Sequence, residues 1–394
     1  MARETDSPSP DTPAPRLPDG VDRLLDATPG PLHPTARETL RAAESAAWAD
    51  PLARHAAGRR SRALLDRARA VLAEGLGVRP EELTLHASGD QAARTAVAGL
   101  ANGRRRCTAP PVTSSVEHST LLRWLRSAPT PPTEVPVDPG GAVDLPSWAG
   151  ALGEETPFAV LQSANHEVGT RQPLPAARDA AAGHGVPLLV DARAGLGRSD
   201  VPQDYDVLIG DATSWGGPRL GVLVVRPGVR FTPHQPPSRH EGGYALDPVD
   251  VPTALAAAEA WQQVAAARPD EDARAHQLID RIRRCAAEVP QVDVVGSPQD
   301  RLPHLCTFSV LYVDGETLVD ELARRGVDVA SGSACTSDTL EPSHVLAAMG
   351  ALTQGNVRVT LPLEVVAPGR EETVQRLCRE LPDVVASCRA RLGL

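Results

Sequence analysis

Short apolar segments alternate with helix-like segments through the first two thirds of this chain, and this alternation restricts the possible folds more than any other feature. The strand-like segments are residues 83–87, 106–109, 158–162, 187–190, 207–209 and 221–225. Helical periodicity is clear over residues 63–77, 91–100 and 174–183. Such alternation predicts an α/β domain with a mostly parallel sheet sandwiched by helices. Ligands of such sheets bind in the loops after the carboxyl ends of the strands.

The pattern changes in the last third of the chain. Helices are predicted at 252–267, 270–289, 316–325 and 371–391, with strands at 292–295 and 306–310. This mixture predicts a smaller α+β domain. Residues 1–19 are rich in proline and polar residues, which predicts a disordered tail. We therefore expect a tail at 1–19, a large domain at 20–257 and a small domain at 258–394, and the segment after the tail is a candidate to join the small domain.

Composition argues against several function classes. No apolar run approaches the roughly 18 residues of a membrane span, and no apolar signal region precedes the first domain, so we expect a cytoplasmic protein. The six cysteines form no CxxC pair, which argues against a disulfide framework and against a zinc site. A net charge of −10 argues against general nucleic-acid binding.

The chain contains no lysine, because all 40 residues counted as Lys or Arg are arginine. Biased codon usage is the simplest explanation of this replacement. Its chemical consequence is that no side chain carries a primary amine, and a guanidinium cannot replace one because it stays protonated.

Cys335 lies among small residues, in the string Ser331-Gly-Ser-Ala-Cys-Thr-Ser337 followed by Leu340-Glu-Pro-Ser343. A lone cysteine of this kind fits a surface turn as well as a functional loop. The whole string, however, resembles the mobile catalytic loop of cysteine desulfurases of the NifS/IscS type, in the class V aminotransferase group. In that family the cysteine takes sulfur from substrate cysteine as a persulfide and transfers it onward.

The resemblance extends from about residue 23 to the end of the chain and implies the type I fold of transferases that depend on pyridoxal phosphate (PLP). It places His118 where the family's histidine stacks on the pyridine ring, and Asn165 where an asparagine contacts the ring hydroxyl. Asp191 takes the place of the aspartate that pairs with the pyridinium nitrogen. Arg358 takes that of the arginine that binds the substrate carboxylate. Taken alone, His118 also fits a structural surface histidine and Asp191 a helix cap.

Three further positions follow from the resemblance. The loop at 50–59 places His55 in the substrate-binding region. The loop that holds the phosphate of PLP reads Ser88-Gly-Asp-Gln91, so that Gln91 replaces a threonine and the anionic Asp90 lies beside it. Thr213 stands where the family has the histidine that precedes its lysine.

The largest departure is at position 214. The segment from Asp206 to Pro218 aligns without a gap and places Ser214 where the family's lysine forms a Schiff base with PLP. A serine hydroxyl cannot form an imine, and this lysine-free chain offers no other side chain that could. PLP is therefore expected from the family, but not as a covalent adduct, and the alternative is that the chain binds no PLP.

Three functions remain open from the sequence. The first is a catalytically degenerate desulfurase that accepts persulfide sulfur on Cys335 or serves as a partner subunit. The second is an active PLP-dependent desulfurase, lyase or transaminase that binds PLP non-covalently. The third is a purely structural or binding protein. The expected partners are a second copy or an active desulfurase as a dimer mate, a sulfur-acceptor protein, and L-cysteine or persulfide sulfur.

Overall fold

The computed structural model describes residues 20–233, 238–245, 248–331 and 342–391. The strands of its larger sheet are β1 Leu83–His86, β2 Val112–Ser114, β3 Thr133–Val135, β4 Ala159–Gln162, β5 Leu188–Asp191, β6 Val207–Asp211 and β7 Gly221–Val225. They lie in the order β1-β7-β6-β5-β4-β2-β3. Neighbours from β6 to β3 are parallel, whereas β7 is antiparallel to both β6 and β1. The predicted, mostly parallel sheet is confirmed.

Helices cover both faces of this sheet. The α-helices are α1 Pro34–Ala46, α2 Ala56–Leu76, α3 Gly89–Gly103, α4 Ser119–Arg126, α5 Leu145–Ala151, α6 Leu174–Gly183, α7 Val251–Ala287, α8 Gly315–Arg324, α9 His344–Ala348 and α10 Arg370–Arg391. Successive strand residues point to opposite faces. Val160 and Leu189 thus pack in the cluster that contains α3, whereas Leu161 and Val190 pack in the cluster that contains α2 and α7. Burial on both faces explains why these strands read as continuous apolar runs.

A second, antiparallel sheet is built from β8 Val292–Val295, β9 Leu305–Val310 and β10 Asn356–Thr360, in the order β10-β9-β8. Residues near the start of the chain join it through isolated bridges, Leu24 to Asp328 and Asp26 to Thr360. The polypeptide from residue 20 onward therefore contacts the region of the smaller sheet, and its assignment to the small domain remains a prediction. The domain boundary proposed at 257/258 falls inside α7 and remains a prediction.

Helix α7 corrects one expectation. The sequence predicted two helices, at 252–267 and 270–289, because proline disfavours a helix interior and Pro269 lies between them. The structure has one helix of 37 residues, Val251–Ala287, with Pro269 inside it. Its first half packs on α1 and α2, and its second half packs on α10 and the smaller sheet. Burial along both halves outweighs the loss of one backbone hydrogen bond.

The strand expected at residues 106–109 is also wrong. That segment follows the end of α3 as a turn, and the strand begins later, at Val112. All three residues of β2 are buried, whereas Arg106 is exposed. The apolar spacing of residues 106–109 was too short to separate a strand from a surface turn.

Residues 1–19, predicted to be a disordered tail, lie outside the described residues. Within the described ranges, no helix combines the length and the apolar character needed to cross a bilayer.

Candidate active site

A cavity of about 300 Å³ opens at the carboxyl ends of β4, β5 and β6 and extends to β9 and β10 of the smaller sheet. This is the edge where a parallel sheet is expected to bind ligands. Its polar and charged lining residues are Thr28, Ser88, Asp90, His118, Gln162, His166, Asp191, Arg193, Arg198, Asp211, Thr213, Ser214, Arg219, His304 and Thr360. The cavity therefore brings together His118, Asp191, Thr213 and Ser214 from the positions that the sequence singled out.

An ion pair occupies the floor of this cavity. Asp191, at the end of β5, accepts hydrogen bonds from Arg193 Nε at 3.0 Å and from Arg193 Nη2 at 2.7 Å. The opposite side of the same guanidinium donates to Asp90 in the first turn of α3. Burial disfavours ionisation of Asp191, but the Arg193 charge outweighs it and lowers the pKa of the carboxyl below its usual value. Burial likewise opposes the charge on Arg193, yet the two carboxylates raise its pKa. Arg193 is thus held as a cation.

The amino end of α3 is already capped by side chains of the chain itself. Ser88 Oγ accepts from Gln91 N at 3.2 Å, and Gly89 N donates to Asp211 Oδ2 at 2.6 Å. Gln91 Oε1 accepts from Ala87 N at 3.0 Å. Free N–H groups at such a helix end form an anion site. Here two of these donors are engaged, and the carboxylates of Asp90 and Asp211 are close by.

Thr213 and Ser214 belong to a 3-10 helix, Ala212–Trp215, that follows β6. Thr213 Oγ1 donates to Asp211 Oδ1 at 2.7 Å. Ser214 Oγ lies within hydrogen-bonding distance of two carbonyl oxygens, those of Leu196 at 3.0 Å and Asp211 at 2.8 Å. The Ser214 hydroxyl is therefore bonded to the backbone at the wall of the cavity.

Two histidines stack at the side of the cavity. The rings of His118 and His166 have centroids 4.6 Å apart and planes inclined by 46°. His118 Nδ1 caps α4 by accepting from Thr120 N, whereas neither ring nitrogen of His166 has a hydrogen-bond partner, and its Nε2 lies 3.7 Å from Glu167 Oε1. Burial, assisted by the Arg193 charge, lowers the pKa of His118 to about 4, and burial lowers that of His166 well below its usual value. Both rings are therefore neutral at neutral pH.

Asn165 serves the loop after β4. Its Oδ1 accepts from Glu167 N at 2.8 Å and from Val168 N at 2.9 Å, and its Nδ2 donates to Val116 O at 3.0 Å. The side chain is fully buried. These bonds give Asn165 a structural role in holding the loop. Its contact with a cofactor hydroxyl remains a prediction.

Glu117 is a fully buried carboxyl beside this loop. Its Oε1 accepts from Ser114 Oγ at 2.9 Å and from Gln162 N at 2.8 Å, while its Oε2 has no partner. Burial, and secondarily the negative charge of Asp191, raises the pKa of Glu117 from 4.5 to about 8. Glu117 is thus largely protonated at neutral pH.

We expect Glu117→Gln to flatten the dependence of stability on pH. Because the folded-state pKa is raised, the stabilising contribution of protonated Glu117 is complete below about pH 4.5 and decreases as pH rises towards 8. Between pH 6.5 and 8.5 the free energy of unfolding of the wild type should fall by about 2 kcal/mol, whereas that of the glutamine variant should not change for this reason. Urea unfolding at stepped pH values measures this difference. The exposed Glu44→Gln is the control, and parallel curves for wild type and Glu117→Gln would contradict the assignment.

The other predicted site residues lie elsewhere. Arg358 is buried in β10, with Nη2 3.7 Å from Asp26 Oδ1 and with Nε unpartnered, and it adjoins the cavity through its strand neighbour Thr360. His55 is exposed and caps α2 by accepting from Gly58 N. Gln91 lines a separate, smaller cavity. Cys335 lies outside the described residues. The roles of these residues stay predictions.

The arrangement does not match what PLP requires. The aspartate that would meet the pyridinium nitrogen is bound by Arg193, and the helix end that would meet the phosphate is capped and flanked by two carboxylates. Ser214 lies at the position predicted for the Schiff-base lysine, and the chain contains no lysine. Among the described residues no cluster of His, Cys, Asp or Glu suits a metal ion.

Arg193, His166 and His304 line the cavity but were not identified from the sequence. The ion pair of Arg193 could have been predicted from the sequence, since a cation two residues after a buried aspartate at a strand end is positioned to pair with that aspartate. His166 interrupts the Asn165–Glu167 loop with an aromatic ring. His304, which is buried with Nδ1 unpartnered, gives no local signal, because only the packing of the smaller sheet brings it to the cavity.

Comparison with known proteins agrees with this fold and with the family resemblance. The family model of aminotransferase class-V matches residues 46–367. Cysteine desulfurase IscS 1 of Archaeoglobus fulgidus is 29% identical over 350 residues, which cover 87% of this chain and 91% of that protein. Cysteine desulfurase NifS of Azotobacter vinelandii is 30% identical over 291 residues, which cover 71% of each chain.

Solved structures share the fold. A NifS-like protein superposes with a TM-score of 0.81 at 21% identity, covering 93% of this chain and 98% of that chain. DndA from Streptomyces lividans superposes with a TM-score of 0.72 at 22% identity, covering 83% of this chain and 95% of that chain. The fold predicted from the sequence is therefore confirmed.

Proposed function

The chain belongs to the aminotransferase class-V family and is similar to its cysteine desulfurases, and we propose that it transfers sulfur through Cys335 while its own desulfurase activity is weak or absent. It acts in the cytoplasm as a persulfide acceptor or as the partner subunit of an active desulfurase. The amino acid L-cysteine is then the ultimate source of the sulfur, and the active enzyme supplies it as a persulfide.

One observation supports this proposal most strongly. Asp191, the acid on which the electron-withdrawing role of PLP depends, is already paired with Arg193, and Arg193 is held from its other side by Asp90. Removing Arg193 from this position would leave a buried carboxylate without a partner, which is costly. The carboxylate predicted to meet the cofactor is thus already paired with a side chain of the chain itself.

The residues on either side of the Cys335 segment support its part in the proposal. Ala330 pairs with Arg358 through two backbone hydrogen bonds of 2.7 and 3.1 Å. Ser343 Oγ donates to Glu167 Oε2, and His344 Nε2 donates to Glu117 O at 2.9 Å. Both ends of the segment are therefore attached to elements that border the cavity.

The proposed step is a balanced exchange. The Cys335 thiolate attacks the outer sulfur of a donor persulfide, the sulfur–sulfur bond of the donor breaks, and the donor cysteine leaves as a thiolate. Cys335 gains one sulfur atom as its own persulfide. No cofactor and no net oxidant are needed.

The test is to incubate the purified chain with an active cysteine desulfurase and L-cysteine, then to map its cysteines by mass spectrometry. We expect one added sulfur atom on Cys335 and none after Cys335→Ser. Cys107→Ser is the control, because Cys107 is a partly accessible free cysteine far along the chain from Cys335. Equal sulfur loading on other cysteines, or no loading on Cys335, would reject the acceptor role and leave the purely structural or binding role.

A second candidate function is a PLP enzyme that binds its cofactor non-covalently. The observation that favours it is the cavity itself, which retains His118 beside Asp191 in a volume of about 300 Å³. The ion pair between Asp191 and Arg193 argues against it. Both functions predict assembly as a homodimer or as a heterodimer with an active desulfurase.

A further inference from the structure

Two cysteines remote from the cavity face each other in the small domain. Cys285 lies near the end of α7 and Cys378 lies in the middle of α10, and these two helices pack together. Cys285 Sγ donates to Ile282 O at 3.2 Å. Cys378 Sγ, from the other helix, lies 3.8 Å from the adjacent carbonyl oxygen of Arg281. Arg281 and Ile282 are consecutive residues of α7. The two sulfur atoms therefore lie close together on the surface of this helix.

The two thiols also interact closely enough for each to shift the pKa of the other. Both residues are free cysteines of intermediate exposure, so small reagents can reach the pair from solvent. Cys306 and Cys388, by contrast, are buried. The structure therefore brings together two accessible thiols that are far apart in sequence.

From this contact we propose that Cys285 and Cys378 form an oxidisable dithiol, a modification site that peroxides convert to a disulfide joining α7 to α10. This site is separate from the proposed sulfur transfer by Cys335 and does not depend on it.

The charges around the pair assign the roles of the two cysteines. The interaction with Cys285 lowers the pKa of Cys378, and the neighbouring Arg281 and Arg284 act in the same direction against burial and Glu288. The interaction with Cys378, with burial, raises the pKa of Cys285. The thiolate is the reactive form of cysteine. Cys378 is thus the thiol that reacts first, and Cys285 is the thiol that resolves the product.

Each step balances. The Cys378 thiolate attacks hydrogen peroxide and breaks the oxygen–oxygen bond, which gives a sulfenic acid and, with one proton, water. The Cys285 sulfur then attacks the sulfenic sulfur and displaces its hydroxyl, which takes the Cys285 proton and leaves as a second water. The two thiols have lost two electrons, and the peroxide has accepted them.

The experiment treats the purified full-length protein with hydrogen peroxide, blocks the remaining thiols with N-ethylmaleimide and digests the chain with trypsin. Trypsin cuts this lysine-free chain only after arginine, so Cys285 and Cys378 fall in the peptides 285–301 and 377–379. We expect these peptides to be joined and lighter by two hydrogens than their sum. Two of the six thiols should be lost, and dithiothreitol should restore them.

Variants separate the two roles. Cys285→Ser should give no cross-link and should accumulate a sulfenic acid on Cys378 that dimedone traps. Cys378→Ser should give neither product, and the control Cys107→Ser should behave like the wild type. The thermal unfolding midpoint of the oxidised wild type should lie above that of the reduced protein, because the bridge closes a long loop. Absence of the joined peptides in the wild type, or dimedone labelling that Cys378→Ser does not remove, would overturn the proposal.

Discussion

Purified protein incubated with PLP and L-cysteine is expected to release sulfide at least about a thousandfold more slowly than a lysine-bearing cysteine desulfurase. The family's lysine is both the covalent attachment point of the cofactor and the base of the reaction, and Ser214, the residue that we propose for this position, can take neither part. The absorbance band of lysine-bound PLP should be missing from the same sample. A sulfide assay and a visible spectrum measure the two effects together.

Ser214→Lys distinguishes a site that lacks only its lysine from a site that has been rebuilt. Because Arg193 still holds Asp191, and Asp90 and Asp211 still flank the end of α3, this variant should also lack the band and the activity. Enzyme-like sulfide release by the wild type would reject the leading proposal in favour of non-covalent PLP catalysis. Recovery of activity by Ser214→Lys alone would show that the cofactor site is otherwise intact.

Arg193→Ala is expected to lower the free energy of unfolding by about 3–5 kcal/mol at pH 7.5, because it leaves the buried Asp191 carboxylate without a partner. The lowered pKa of Asp191 in the wild type means that the pair stabilises the fold above the unfolded-state pKa and that this contribution is lost as pH falls through the folded-state pKa. The wild type and the variant should therefore converge in acid. Urea unfolding at neutral and acidic pH measures the difference.

Arg126→Ala is the matched control, since Arg126 forms a two-bond pair with Glu134 at 2.6 and 2.7 Å but is half exposed. Exposed pairs contribute at most about 1 kcal/mol. The double variant Arg193→Ala, Asp191→Asn should recover most of the unfolding free energy that Arg193→Ala loses, because the unpaired Asp191 carboxylate is then replaced by a neutral amide. If Arg193→Ala lowers the free energy of unfolding by no more than Arg126→Ala does, the ion pair does not stabilise the floor of the cavity.

The predicted architecture was largely confirmed where the sequence has a clear apolar run or a clear helical repeat of apolar residues. Apolar runs such as Leu188–Asp191 and Gly221–Val225 appear as buried strands because a sheet covered on both faces needs apolar residues at successive positions. The predictions were wrong where the local preference of a residue was outweighed by the burial of apolar side chains in the fold. Pro269 predicts a helix break, yet burial along both halves of α7 keeps one helix.

The candidate site was predicted in part. Asp191, His118, Thr213 and Ser214 meet at one cavity, because each follows a strand whose carboxyl end lies at the same edge of the sheet. Asn165 lies in the same group of loops, but its side chain is bonded to backbone atoms. The sequence pattern placed these residues near one another without showing which of their atoms remain available.

The amino-acid sequence by itself determined the alternation of strands and helices, the family resemblance and the absence of any lysine, because these depend on residue types and on short-range spacing. Only the tertiary structure decided how the remaining charges are paired. Arg193 and Asp90 are 103 residues apart, and Cys285 and Cys378 lie on helices that meet only after folding. Such contacts arise from the packing of distant segments, so no local pattern in the chain specifies them.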